Sequence, residues 1–281
     1  MTVFLNGQFV PEEKAVVSVF DRGFLYGDGL FEAMRVHRGE PFQWRRHLAR
    51  LEQGAKVLQL RAPFAPQELR RFAAQLIEQN KMPEAVLRLV LSRGAGARGY
   101  SPKSAESPTL VMSLHPAADL TAENRTRWRL ATSSLRVAAN DPLAVIKTCN
   151  KLRQVLARAE AETRGADEAL LLNENGEAVE TAGGNIFWIN HDTVRTPPLA
   201  NGLLAGVTRA TVLELCQKLR LAVLERSAKP ADLAAAEGVF VSLSTMGIVE
   251  VSELDGIPLQ QSPIAALLGA AWLRLFWNGA D

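Results

Sequence analysis

The chain has 281 residues, 47% of them apolar, enough for one large domain or two ordinary ones with separate cores. Thirty-two Lys and Arg face 30 Asp and Glu, a formal charge of +2 that implies no nucleic-acid partner and no anionic membrane surface. Cys149 and Cys216 have neither a CxxC neighbour nor a histidine cluster, which argues against a disulfide framework and against a metal site. The apolar runs fall far short of the ~20 residues of a membrane span, and no export signal is visible at the start. The expectation is a soluble, cytoplasmic protein.

In chain order, residues 3–10 and 15–19 alternate in polarity, with Asn6-Gly7 as a hairpin turn signal. The stretch from Asp21 to Glu32 packs three glycines into seven residues, but lacks the spacing and context of a nucleotide loop. Phe31 to Val36 reads as a strand. Trp44 to Leu60 reads as an amphipathic helix with His47 and Arg50 one turn apart, a pair that more often marks a solvated face. A helix from about Pro66 to Asn80 and a strand over Ala85–Ser92 follow. Arg93 to Tyr100 is then a glycine-rich loop whose two arginines, Arg93 and Arg98, suit bidentate carboxylate recognition. The strand Thr109–Ser113 completes the first half.

These elements predict an α/β (α+β) chain with an N-terminal domain over 1–115, a linker over 116–124 and a C-terminal domain over 125–281. The second half opens with a strand near Trp128–Ser133. Lys147 follows the apolar run Ala144-Val145-Ile146 and precedes a helix in which Leu152, Val155, Leu156 and Ala159 recur at helical spacing until Gly165. Taken alone, a lysine there is more often a surface residue. Asn175-Gly176 turns a hairpin whose second strand ends at Glu180, and Ile186–Ile189 continues as strand. Gly206 and Thr208 open the next helix, where capping is the commoner role and anion binding the alternative. The strand Gly238–Leu243 stops at Ser244-Thr245-Met246-Gly247, and the helix Pro263–Phe276 looks like core packing.

Together these pieces supply a lysine behind an apolar approach, a carboxylate on a nearby strand, and three anion-binding candidates at Arg50, Val207-Thr208 and Ser244-Thr245. That is the inventory for holding pyridoxal 5′-phosphate. The phosphate suits a guanidinium with hydroxyls and helix-start N–H groups. The aldehyde needs an unprotonated amine, although free lysine titrates near pH ~10.4. The pyridine nitrogen needs an anion if it is to stay protonated.

The ordered blocks Asp-Arg-Gly…Gly-Asp-Gly-Leu-Phe-Glu, His-Leu-Ala-Arg-Leu, Ile-Lys-Thr-Cys-Asn-Lys-Leu, Glu-Thr-Ala-Gly-Gly-Asn-Ile-Phe, Gly-Val-Thr-Arg and Ser-Thr-Met-Gly resemble the class IV pyridoxal-phosphate aminotransferases, from about residue 3 to 255. That family includes branched-chain and D-amino acid aminotransferases and aminodeoxychorismate lyase. The resemblance implies a two-domain fold-type IV architecture like that of D-amino acid aminotransferase, with the cofactor between the domains, and a homodimer. By motif it implies Lys147 as Schiff-base lysine and proton shuttle, Glu180 as partner of the pyridine nitrogen, and Arg50 on the phosphate with Val207, Thr208, Ser244 and Thr245. Leu204 falls under the ring, and Asn185 with Gly183-Gly184 at the cofactor edge. Phe31, Arg98, Tyr100, Met246 and Gly247 are the substrate-pocket candidates. Leu152 stands where branched-chain enzymes often carry tyrosine, an argument against that subgroup. The implied activity is transamination between an amino acid or amine and a 2-keto acid, with β-elimination to 4-aminobenzoate and pyruvate as the alternative. A non-catalytic relative would typically have lost Lys147 or Glu180; both are present.

Overall fold

Asn6 and Gly7 both adopt positive φ, 48° and 93°, the geometry that closes a two-residue hairpin between β1 (Thr2–Leu5) and β2 (Gln8–Pro11). This is the first feature of a computed structural model that describes residues 1–120 and 127–279. The chain divides into two units. One is chiefly Met1–Ala118 with Ile146–Lys151; the other is Asp119–Val145 with Leu152–Asn278.

The first unit continues with α1 (Arg22–Tyr26), β3 (Gly29–His37), β4 (Glu40–Pro41), α2 (Trp44–Leu58), α3 (Pro66–Asn80), β5 (Ala85–Ser92) and β6 (Thr109–His115). Its six strands lie in the order β2-β1-β6-β5-β3-β4, every neighbour antiparallel. Period-two alternation decides the faces. Leu30, Met34, Leu87, Leu89 and Leu91 point into a core that includes Leu48, Leu51, Leu69 and Leu76 of the helices. Phe31 and Arg88 stand on the opposite face. The second alternating run, residues 15–19, forms no strand. Val16 and Val19 stay 74% and 66% exposed, because alternation without a pairing edge buries nothing.

The second unit holds β7 (Trp128–Val137), α4 (Leu152–Thr163), β8 (Glu168–Asn173), β9 (Ala178–Thr181), β10 (Asn185–Asn190), β11 (Thr193–Thr196), α5 (Val207–Lys218), β12 (Ala222–Glu225), α6 (Pro230–Ala234), β13 (Gly238–Leu243), β14 (Gly247–Leu254), β15 (Ile257–Pro258) and α7 (Pro263–Trp277). Its mixed sheet runs β12-β11-β10-β13-β14-β7-β8-β9, with β15 on β14. Phe187 of β10 and Phe240 of β13 stack at 4.9 Å within it.

One expectation changes here. The segment carrying Lys147, assigned by sequence to the C-terminal domain, clusters with the first unit. Of the expected linker, residues 121–124 lie outside the described residues. On α4 the residues that recur at helical spacing face outward. Leu152, Val155 and Leu156 are 65%, 60% and 50% exposed and Ala159 is exposed, while Ala157 and Ala161 are buried. Alanines let the helix lie close against β7 and β8, so its bulky side chains turn outward.

Candidate active site

Lys147 is placed by the edge of a sheet. Its carbonyl accepts from Phe31 N–H at 3.0 Å, Cys149 N–H donates to the Gly29 carbonyl at 2.8 Å, and Leu30 bridges Thr148. The segment thus runs antiparallel beside the start of β3. Ile146 enters the core, 2% exposed, and by alternation Lys147 turns to the other face. There its Nζ sits 4.6 Å from the centre of the Phe31 ring, while Arg88 Cζ lies 4.2 Å from the same centre. A cation over an aromatic face is held at a fixed height without being neutralised. The Cys149 thiol beside them is pushed up by burial and is a poor nucleophile.

Behind Phe31, on the core face of the same strand, Glu32 is fully buried. Arg50 of α2 meets it with two parallel bonds, Nε to Oε1 and Nη2 to Oε2, both 2.7 Å; His47 Nδ1 lies 2.6 Å from Oε2. Burial alone would raise the Glu32 pKa, but hydrogen bonds from Arg50 and His47 and the charge of Arg50 hold it at about 2. His47 is pushed down, first by burial and further by the charges of Arg50 and Lys147, against the opposing pull of Glu32. His47 is therefore neutral near pH 7, with Nδ1 donating to an ionised carboxylate. The pair read as a solvated face is instead a buried network. Its third member was legible: Leu30-Glu32-Met34 puts a carboxylate in a row of core residues, and a buried carboxylate requires a cation.

The remaining candidates of this unit lie on the loop after β5. Arg98 and Tyr100 are exposed, the latter 87%. Arg93 is buried and bound to Asp28, so only one of the two loop arginines faces outward. Arg88, one row from Phe31 on the outer face of β5, was missed, although the alternation Leu87, Leu89, Leu91 already turns it away from the core.

The second unit holds a separate constellation. Glu180, at the end of β9, accepts from Leu204 N–H at 3.2 Å and from Asn185 Nδ2 at 3.4 Å; Asn185 also donates to the Leu204 carbonyl at 2.8 Å. Asn185 is thereby a bracket between the carboxylate and the Leu204 backbone. Gly206 makes room for it, since a Cβ there would fall 2.0 Å from Asn185 Oδ1. Gly206 also leads α5, whose N-terminus has no side-chain cap. Thr208 Oγ1 faces Ser244 Oγ at 3.3 Å instead of turning back on the helix. An uncapped helix start flanked by two hydroxyls is an anion-binding arrangement. Val207 and Thr208 form its first turn, and Thr245 follows Ser244 in the turn after β13. Met246 and Gly247 have packing roles: Met246 lies against the core around Trp128, and Gly247, at φ 75°, leaves no space for a Cβ under Trp272.

Residues 29–254 match the family model described as amino-transferase class IV, and the chain belongs to that family. It is 37% identical over 257 residues to a putative branched-chain-amino-acid aminotransferase of Methanocaldococcus jannaschii, covering 91% of this chain and 88% of that protein. It is 32% identical over 264 residues to an aminodeoxychorismate lyase of Vibrio harveyi, covering 93% and 95%. The crystal structure of a branched-chain amino acid aminotransferase of T.th. with pyridoxamine 5′-phosphate superposes at a TM-score of 0.92, with 30% identity, covering 100% of this chain and 95% of that one. No helix among the described residues is long and apolar enough to cross a membrane.

Proposed function

We propose that this class IV aminotransferase uses pyridoxal 5′-phosphate, held covalently through Lys147, to move an amino group between an amino acid and a 2-keto acid. The observation that carries the reading is the Lys147 Nζ held 4.6 Å over the Phe31 ring at the start of β3. The residues present fit the cofactor by their chemistry. The uncapped start of α5, with Thr208 and Ser244, suits a phosphate. Glu180, oriented by Asn185 and Leu204, suits a protonated ring nitrogen. Arg50 would add a cationic edge while Glu32 fixes its plane, and Leu204 and Val207 would pack on the ring side. The cofactor supplies the electron withdrawal that acidifies the substrate Cα–H. Lys147 would be the residue that takes that proton and returns it. Arg88 and Arg98 offer guanidinium groups for substrate carboxylates, and Tyr100 an exposed aromatic wall.

A second reading is aminodeoxychorismate lyase, favoured by the 32% identity to the Vibrio harveyi protein. It shares the first proton removal and then differs in the bond broken. The test is a product assay. The transaminase converts L-leucine or D-alanine to a keto acid only when a 2-keto acceptor is present. The lyase releases 4-aminobenzoate and pyruvate from aminodeoxychorismate without any acceptor.

We also infer a homodimer in the cytoplasm. The first unit exposes Val16, Val17, Val19, Phe20, Phe24 and Leu25, and the second exposes Leu143, Val145, Leu152, Val155 and Leu156. Bulky apolar groups in such number call for a covering surface, and a second copy is the partner the family would supply. Two free cysteines suit a reducing compartment.

A further inference from the structure

Asp28 lies immediately before β3 and is gripped by two arginines. Its Oδ2 accepts from Arg22 Nε at 2.9 Å and from Arg93 Nε at 2.7 Å, and its Oδ1 accepts from Arg93 Nη2 at 3.0 Å. Each arginine has a second hand. Arg93 donates from Nη2 to the Leu58 carbonyl at 2.8 Å and from Nη1 to the Gln59 carbonyl at 3.4 Å, which caps the C-terminal end of α2. Arg22 donates from Nη1 to the Gly99 carbonyl at 2.8 Å and from Nη2 to the Tyr100 carbonyl at 3.1 Å. Tyr26 completes this arm. Its hydroxyl accepts from Gly99 N–H at 3.2 Å, and its ring lies 5.6 Å from that of Tyr100.

The arrangement is costly unless the geometry it fixes has a use. Arg22 and Arg93 are 4% and 11% exposed, so two cations and a carboxylate are largely desolvated. The segment they hold is intrinsically soft: Gly94, Gly96 and Gly99 fall within six residues, with Gly94 and Gly99 at φ 85° and 111°. A glycine-rich loop on an unsupported surface samples many conformations. Clamped at its carbonyls, it presents Arg98 and Tyr100 in one place.

The geometry points to Asp28 and Arg22 as positioning residues for substrate recognition: the Asp28–Arg22 pair clamps the Gly94–Tyr100 loop so that Arg98 meets the substrate carboxylate. This rests on the transaminase reading. Asp28 acts through Arg22 on the loop and through Arg93 on the helix that carries Arg50.

The test is a double-mutant cycle on the holoenzyme, using Arg22→Met, Arg98→Ala and the pair, with KM and kcat measured for an amino acid donor and for 1-phenylethylamine, which has no carboxylate. Arg22→Met should raise KM for the amino acid about tenfold, the loss of one charge-assisted contact. It should lower kcat by less than it raises KM, and raise KM for the amine, which has no carboxylate for Arg98, by a clearly smaller factor. In the Arg98→Ala background the Arg22 effect should vanish. Trypsin gives a readout without turnover: cleavage after Arg98 should accelerate in Arg22→Met and Asp28→Asn relative to the other tryptic sites. Active wild type with additive Arg22 and Arg98 effects, or with Arg98 cleavage unchanged by Asp28→Asn, overturns the clamp. Wild type inactive with every donor and acceptor overturns the transaminase reading, and this proposal with it.

Discussion

Glu32→Gln is the substitution for which the structure specifies an outcome most closely. The carboxylate is inaccessible to solvent, ionised, and matched by two bonds from Arg50 and one from His47. The amide keeps the shape but offers one acceptor oxygen where two were used. His47 accommodates the NH2 end by switching tautomer, but one Arg50 N–H loses its partner and a buried cation loses its counter-ion. Holding the Glu32 carboxyl at about 2, against 4.5 for a free glutamate, corresponds to ~3 kcal/mol in favour of the ionised folded form. Breaking one side of a buried ion pair costs about 3–5 kcal/mol in general. A loss of ~3 kcal/mol in urea unfolding at pH 7 is therefore expected.

The pH dependence supplies the check. A folded pKa below the unfolded one contributes stability in full above pH 4.5 and loses it as pH falls through about 2. The wild-type advantage over Glu32→Gln should accordingly shrink by roughly half between pH 7 and pH 3. A penalty under ~1 kcal/mol at pH 7, or one equal at both pH values, would refute the ionised-pair account.

Other outcomes follow from single contacts. Lys147→Ala should abolish turnover and borohydride labelling yet retain cofactor absorbance after gel filtration, since the residues proposed to hold the phosphate are untouched; label found on another lysine would end the assignment. Gly206→Ala should place a methyl in the space of Asn185 Oδ1 and loosen the Glu180 bracket, giving about a tenfold or greater loss of kcat that is detected in single-turnover assays. Arg50→Ala should weaken cofactor affinity, measured by reconstitution of apoenzyme, more than it slows the chemical step. Leu156→Glu on α4 should shift the sedimenting species from dimer to monomer; an unchanged mass would remove that face from the interface.

The elements of this fold were legible where local pattern and tertiary demand agree. The helix Pro66–Asn80 and the strand Ala85–Ser92 fall where they were expected, because a proline at the helix start and strict alternation in the strand leave little latitude. Residues 15–19 and α4 show the limit. Both carry apolar periodicity of the right kind, and in both the bulky apolar side chains face outward. Periodicity reports that a surface wants covering, without saying whether the same chain covers it. The site shows a related limit. Motif order marked Lys147, Arg50 and Glu180, but the reach of Arg50 to Glu32 joins a helix to a strand 18 positions earlier.

That same register explains why the chain returns to its first unit at Lys147. A lysine on a helix face would swing through several rotamers, each a different position for its nitrogen. Backbone bonds to Gly29 and Phe31 fix the Lys147 Cα instead, Ile146 anchors one side of the chain in the core, and the Phe31 ring sets the height of Nζ on the other. The strand that supplies this ring also supplies Glu32 on its reverse face and begins directly after Asp28. One nine-residue strand thus orients the amine through its edge and outer face, the phosphate-candidate arginine through its inner face, and the Arg98 loop through the carboxylate at its start. A shift of β3 by a single residue would exchange Phe31 and Glu32 between faces and disable all three at once. This is the physical reason for spending buried ion pairs at Asp28 and Glu32, where apolar contacts would have held the strand but not its register.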